Sequence, residues 1–217
     1  TLKLLIIISG ISIVFAIGLR GTGIRIEYFI FNWLFWFYFS EMARVMSNLN
    51  MPLSIKKNIE ISFTSFYAGS VIRISSQYLI MLVFLIFVMS IFNYVLPVRE
   101  LMIAFIGITF ISILYSQVVS LIIYKRTFLI ELHDFFLQSL LFTSSIIIPI
   151  SILPSFIIDI LVWNPLVHIN EFIKEPVTGI KYNYIDIYYP FKFIAILFIF
   201  FVPIINYFEI LHKEDGN

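Results

Sequence analysis

The chain has 217 residues, of which 61% are hydrophobic and 12% are charged, and its net charge is +1. A soluble domain is about 45–50% apolar and about 25% charged, so this composition excludes an ordinary soluble protein and indicates one whose solvent is lipid. The near-neutral charge gives no reason to expect a nucleic-acid partner. The sequence contains no cysteine, which excludes disulfides, thiolate catalysis and cysteine-ligated metals within it.

Six apolar runs divide the chain, each close to the length that a helix needs to cross the hydrocarbon of a membrane. Because lipid offers the backbone no hydrogen-bond partner, such runs are predicted to be helices. In chain order the runs are 4–19, 28–46, 75–96, 101–124, 135–153 and 193–208. The predicted fold class is an all-α membrane protein with six transmembrane helices, formed as a single domain over residues 1–217.

A further apolar piece, 156–163, is too short to cross the membrane and ends at Asn164-Pro165. Proline cannot continue a helical hydrogen-bond ladder, and it pushes the preceding residue out of the helical conformation. With Pro154 and Pro176 flanking this piece, the region 154–180 is predicted to form a re-entrant or interfacial helical hairpin before the last span. Such backbone is tolerated at membrane depth only where protein or water surrounds it.

The distribution of Lys and Arg between the loops predicts the orientation. In the short loops, eight of these residues fall on the side of the two termini and three fall on the other side. Since short cytoplasmic loops carry the excess of positive charge, both termini are predicted to be cytoplasmic. Arg73, inside an apolar stretch, is either functional or able to extend its guanidinium to the headgroups, and the sequence does not separate these interpretations.

One cluster of polar residues precedes the fifth run, where Glu131 is followed by His133 and Asp134. A His–Asp pair could relay protons or bind a metal. The simpler interpretation is a polar start to a helix, because acidic residues in a first turn are favoured by the helix dipole.

The most distinctive string lies in the predicted hairpin, and it supplies Trp163, Asn164, Pro165, His168, Glu171 and Lys174. Locally it predicts a capped helix, with Asn164 as the cap, Pro165 in the first helical position and Trp163 anchored at the headgroups. The i,i+3 spacing of Glu171 and Lys174 predicts a weak surface pair. A gate or exit lining would explain why such a helix lies in an outer hairpin.

Tyrosines cluster before the last span, at Tyr182, Tyr184, Tyr188 and Tyr189. They suit an aromatic belt at the membrane interface. They would also suit stacking against the C–H faces of a sliding carbohydrate, because an aromatic ring offers a flat apolar face with a polar edge. Both interpretations remain open.

The string Trp163–His168, followed by Glu171 and the basic Lys174, resembles the membrane subunits of capsular-polysaccharide ABC exporters in the type-2 ABC permease superfamily. The order of six spans and the outer hairpin agree with that family. Segment 48–57, with Pro52 near its middle, resembles the family's segment that contacts the ATPase. One departure is that no basic interfacial helix precedes the first span, so either this member lacks that helix or the sequence is truncated before it. The other is a Lys at 174, where Arg is common.

The resemblance implies a homodimeric permease in the bacterial inner membrane, bound to two ATP-binding subunits and to periplasmic export components. Its substrate would be a lipid-linked polysaccharide. ATPase contact is assigned to Asn48, Leu49, Met51, Pro52, Lys56 and Lys57. No Gly-x-x-x-x-Gly-Lys-Ser/Thr loop occurs, so ATP and Mg are expected on the partner, with no cofactor or catalysis on this chain.

Two other functions are compatible with the same sequence. The first keeps the superfamily and changes the cargo to an O-antigen, a teichoic acid or a small molecule. The second is a membrane enzyme such as a sugar acyltransferase, which would use His133 with Asp134, or His168 with Glu171, as acid–base groups.

Overall fold

The computed structural model describes residues 26–47, 63–123, 128–147, 153–178 and 183–196, with the single positions 10, 150, 181 and 199. All regular secondary structure in these residues is helical. The helices are α1 (Ile26–Ser47), α2 (Phe63–Ile91), α3 (Val98–Ile123), α4 (Phe128–Thr143), α5 (Ser155–Leu161) and α6 (Pro165–Thr178), followed by a helical segment at 188–196. The predicted all-α fold is confirmed for this part of the chain.

Two of these helices are long and apolar enough to cross a membrane, over Tyr67–Ile91 in α2 and Val98–Val119 in α3. A third span is added if the pair α5–α6, which bends by 112°, is counted as one. The chain therefore has the helices of a membrane protein. The predicted first span, and most of the sixth, lie outside the described residues.

The predicted third span, 75–96, is placed too far along the chain at both ends, because α2 covers Phe63–Ile91. Arg73 lies inside this helix and is exposed on the protein surface. Arg73 lies six residues after Tyr67, where the candidate span begins, so its exposed side chain can carry the charge to the headgroups. The structure therefore favours that interpretation over a buried functional charge.

The predicted fifth span, 135–153, is wrong at its C-terminal end. Helix α4 ends at Thr143, so its 16 residues reach only about 24 Å, against a hydrocarbon core of about 30 Å. The Ser144 hydroxyl donates to the Leu140 carbonyl, and Ser145 adopts a φ of +60°, the left-handed conformation that commonly ends helices. The apolar run continues beyond this point, but the helix does not.

Helix α1 forms the centre of the packed core, with α2 and α3 against it. From Phe29 to Phe39 it is apolar except for Asn32 and is almost entirely buried, which is typical of a helix surrounded by protein. Its Tyr38 is fully buried, with its ring stacked on Phe105 at 4.9 Å between centroids. The Tyr38 hydroxyl shares hydrogen bonds with Ser75 of α2 and Thr109 of α3, each at 2.8 Å. One phenol therefore joins three helices.

Helix α6 packs closely against α3 at Gly107. A Cβ atom added there would lie 3.1 Å from Ile169 Cδ1, so the missing side chain allows the close approach. Further along, Glu100 of α3 and Glu175 of α6 line the same cavity of about 350 Å³. Because the two contacts follow opposite chain directions, α6 runs antiparallel to α3.

Candidate functional site

The candidate site is the bent pair α5–α6, together with the turn that follows α4. Helix α5 ends at Leu161, and backbone N–H groups of the next residues donate to α5 carbonyls before α6 begins at Pro165. One of these bonds joins the Asn164 N–H to the Leu161 carbonyl at 2.9 Å. The predicted break at Asn164-Pro165 and the helical pair around it are confirmed.

Asn164 caps α6, as its position before Pro165 predicted. Its Oδ1 accepts the Leu166 N–H at 3.0 Å. Its Nδ2 also donates to the Ser144 hydroxyl at 3.0 Å and to the Thr143 carbonyl at 3.3 Å. The Asn164 side chain therefore caps the start of α6 and joins it by hydrogen bonds to the end of α4.

His168 is buried and uses both ring nitrogens in hydrogen bonds. Nδ1 accepts the Asp186 N–H at 3.0 Å, so the proton of the neutral ring resides on Nε2. Nε2 then donates to the Val162 carbonyl at 2.6 Å, and the ring lies 4.5 Å from that of Tyr189. His168 thus joins the bend, α6 and the segment before 188–196.

Glu171 and Lys174 form a buried ion pair, and the predicted surface pair is therefore wrong. Lys174 Nζ lies 2.9 Å from Glu171 Oε1, with side-chain exposures of 3% and 0%. The i,i+3 spacing placed both residues correctly on one helix face. That face is covered by the packing of α6 on the rest of the protein, which spacing alone could not indicate.

One oxygen of the Glu171 carboxylate accepts three hydrogen bonds, and the other accepts none. Oε1 accepts from Lys174, from the Ser145 hydroxyl, and from the Ile150 N–H at 3.4 Å. Oε2 is buried without a hydrogen-bond partner. An ammonium at this place provides one strong contact, whereas the planar fork of an arginine can engage both oxygens of a carboxylate.

Three polar residues, two in α6 and one that caps its start, form hydrogen bonds with the turn at 143–145. Besides Asn164 and Glu171, the buried Asn170 donates from Nδ2 to the Ser144 carbonyl at 2.6 Å. Polar groups buried in an apolar surrounding stabilise a fold only when they are paired, so these bonds fix how α6 sits on the turn. The serine turn was not predicted, since serines inside an apolar run carry no helix-end signal.

The aromatic candidates occupy different environments. Trp163, Tyr184 and Tyr188 are exposed, and Tyr182 lies outside the described residues. The Tyr189 hydroxyl donates to the Trp163 carbonyl at 3.2 Å, which brings the tyrosine segment beside the bend. The exposed rings of Trp163 and Tyr188 therefore provide aromatic surface next to α5–α6.

Near this surface, Lys192 Nζ lies 2.9 Å from Asp186 Oδ2, with side-chain exposures of 66% and 43%. The hydrogen bond from Lys192, with that from the Tyr188 N–H, holds the pKa of Asp186 below its usual value. This pair has the length of the Glu171–Lys174 pair but lies in solvent.

The polar cluster in the first two turns of α4 does not form the His–Asp pair that a proton relay or metal site would need. Asp134 pairs with Arg44 in the last turn of α1, with 2.8 Å between Oδ1 and Nε, and Arg44 also donates to Ser40. His133 is buried with its ring 5.8 Å from that of Tyr115, and neither ring nitrogen has a hydrogen-bond partner. Glu131 is exposed in the first turn, as expected of a polar helix start.

The remaining predicted residues cannot be placed. The ATPase-contact candidates Asn48, Leu49, Met51, Pro52, Lys56 and Lys57 all lie outside the described residues. Within the described ranges, no group of three or more His, Asp or Glu side chains is arranged to hold a metal ion.

Comparison with known proteins adds no relative, because no family model, curated protein or solved structure matches this chain. The function therefore has to be inferred from the chain's own residues and their geometry.

Proposed function

We propose that this chain is the membrane-spanning subunit of an ATP-driven exporter that moves a lipid-linked capsular polysaccharide across the bacterial inner membrane. The observation that carries the proposal is the bent pair α5–α6, whose second helix packs on the apolar helix α3 and holds a buried ion pair. Non-helical backbone at membrane depth occurs where protein encloses it or water reaches it, as in transport proteins.

The bend is built as a fixed element rather than a loose loop. Its cap, its buried histidine and its ion pair all have partners in neighbouring segments. A charged pair inside a membrane protein is costly to bury, and such residues commonly mark a transport pathway. In the proposed orientation α5–α6 borders the exit on the outer face.

The exposed aromatic surface supports a carbohydrate cargo. Trp163 and Tyr188 present their rings beside the bend, where a polymer leaving the membrane would pass. Aromatic faces pack against the C–H faces of sugar rings, and several such contacts allow a chain to slide. Anchoring at the lipid headgroups is the other role for the same rings.

In this proposal six spans place both termini in the cytoplasm, and two copies pair to form the channel. Segment 48–57 contacts the ATP-binding subunits, which hold ATP and Mg. Arg44 and Asp134 then lie on the cytoplasmic side, and Arg44 is close in sequence to that segment. Periplasmic components would receive the polymer.

The geometry disfavours the acyltransferase alternative. His168 has no free ring nitrogen for acid–base work, because both are hydrogen-bonded within the protein. Glu171 is buried in an ion pair, and the Asp134 carboxylate is bonded to Arg44 rather than to His133. Export of an O-antigen, a teichoic acid or a small molecule uses the same architecture and differs only in cargo.

The test is deletion of the gene in the bacterium that carries it, with surface and intracellular polysaccharide measured by immunoblotting. We expect capsule to disappear from the surface and to accumulate inside, and an ATP-binding subunit to co-purify with the tagged wild-type chain. The control is His133→Ala, which should restore export when it is expressed at the wild-type level. Normal surface capsule after deletion would contradict the proposal, and exported polymer lacking an acyl group would support the enzyme.

A further inference from the structure

Helix α4 is held to the rest of the protein by little apolar contact. Of its 16 residues, only His133 and Leu137 are buried. Large apolar side chains are exposed along it, namely Phe128, Leu132, Phe135, Phe136 and Phe142. Because no hydrophobic effect drives helices together in lipid, the position of α4 depends strongly on its polar contacts.

Those polar contacts lie in the second turn of α4 and just after its C-terminal end. In the second turn, Asp134 pairs with Arg44 of α1 at 2.8 Å. At the other end, the turn at 143–145 receives the hydrogen bonds of Asn164 and Asn170 and donates one to Glu171. The segment between Asp134 and Ser144 is almost entirely continuous helix of about 15 Å. A displacement of one end is therefore carried to the other.

We propose that the Arg44–Asp134 ion pair is a positioning pair, which fixes α4 against α1 and thereby sets where the bent pair α5–α6 sits. The pair joins residues 90 positions apart in the sequence. Its role in export rests on the proposed function, because Arg44 lies four residues before Asn48, where the predicted ATPase-contact segment begins. The pair would then adjust the exit hairpin to the state of the ATPase.

The size of the effect follows from the exposure of the pair. Side-chain exposures of 38% for Arg44 and 47% for Asp134 place it between solvent and core. Pairs of this kind shift an equilibrium by up to about fivefold, so removing it should change the position of α5–α6 measurably without unfolding the protein. A purely local role would leave the bend unchanged.

The experiment uses the absence of cysteine from the sequence. Trp163→Cys places a single thiol on an exposed residue of the bend, and its labelling rate with a membrane-impermeant maleimide is measured in membranes that contain the full chain. We expect Asp134→Asn and Arg44→Gln each to change this rate about three- to fivefold. Arg44→Lys, and the double variant Arg44→Asp with Asp134→Arg, should return the rate towards that of the parent.

The matched control is Tyr67→Phe, which removes a 2.8 Å hydrogen bond between α2 and Ser116 of α3 without touching α4. Its labelling rate should equal that of the parent. The proposal would be overturned if the labelling rate is unchanged in both Asp134→Asn and Arg44→Gln. It would also be overturned if Tyr67→Phe changes the labelling rate as much as those two variants do. Elution of each variant as a single peak on size exclusion separates a moved bend from an unfolded chain.

Labelling needs neither ATP nor polymer, so its outcome is independent of the proposed function. If the labelling is unchanged but the deletion strain loses its capsule, the positioning role is wrong and the proposed export function stands. If the labelling changes and is rescued but the deletion strain has normal capsule, the positioning role stands and the proposed export function is wrong.

Discussion

Replacing Lys174 with methionine should destabilise the protein strongly, because it leaves the Glu171 carboxylate buried without its counter-charge. The side-chain exposures of the pair are 3% and 0%, and Glu171 would keep only the Ser145 hydroxyl and a long bond from the Ile150 N–H. Removing one partner of a buried ion pair costs about 3–5 kcal/mol. For a chain of this length, that cost lowers Tm by roughly 6–20 °C.

The assay is thermal unfolding of the detergent-purified protein, followed by intrinsic fluorescence. The matched control is Lys192→Met, since the Lys192–Asp186 pair has the same 2.9 Å length but side-chain exposures of 66% and 43%. An exposed pair contributes roughly 0–1 kcal/mol, so Tm should fall by a few degrees at most. The double variant Glu171→Gln with Lys174→Met should recover part of the loss. Equal Tm changes in Lys174→Met and Lys192→Met would refute the reasoning.

Three further substitutions test the packing around the site by the same Tm measurement. Asn164→Ala removes the cap of α6 and two hydrogen bonds to the turn at 143–145, so it should lower the stability by about 1–2 kcal/mol. Asn164→Ser should recover part of this stability. An unchanged Tm in Asn164→Ala would contradict the capping role. Gly107→Leu should cost about 1–3 kcal/mol by forcing α6 away from α3, because even a Cβ would lie 3.1 Å from Ile169. Gly69→Ala is its control, since nothing lies within 4 Å of an added Cβ there, and it should be neutral or stabilise by about 0.4–1 kcal/mol. Tyr38→Phe removes the hydroxyl that bonds two helices and should cost about 1–3 kcal/mol; an unchanged Tm would show that these bonds contribute no net stability.

Local signals in the sequence predicted the parts of the site that depend on neighbouring residues. Asn164 before Pro165 indicated both the break and the cap of α6, because those residue types favour these positions for reasons of backbone geometry alone. The apolar runs predicted helices for the same kind of reason. The burial of Glu171 and Lys174 was missed, because helical spacing defines a shared face but not what covers it.

Contacts between distant segments could not be predicted. Arg44 and Asp134 each carry a plausible local explanation in the sequence, and nothing in either indicates the other as a partner. The end of α4 was missed for a different reason. The apolar run continues past Ser144 and Ser145, and hydropathy does not detect a left-handed residue that stops a helix.

The bonds of the Tyr38 hydroxyl restrict how this protein can change shape. Sliding α1 by one helical turn, about 5.4 Å, past either neighbour would break a buried hydrogen bond and unstack the ring from Phe105. Such a penalty favours α1, α2 and α3 moving as one body. Conformational change during the functional cycle would then be concentrated at the interface between these three helices and α4, which the Arg44–Asp134 ion pair spans.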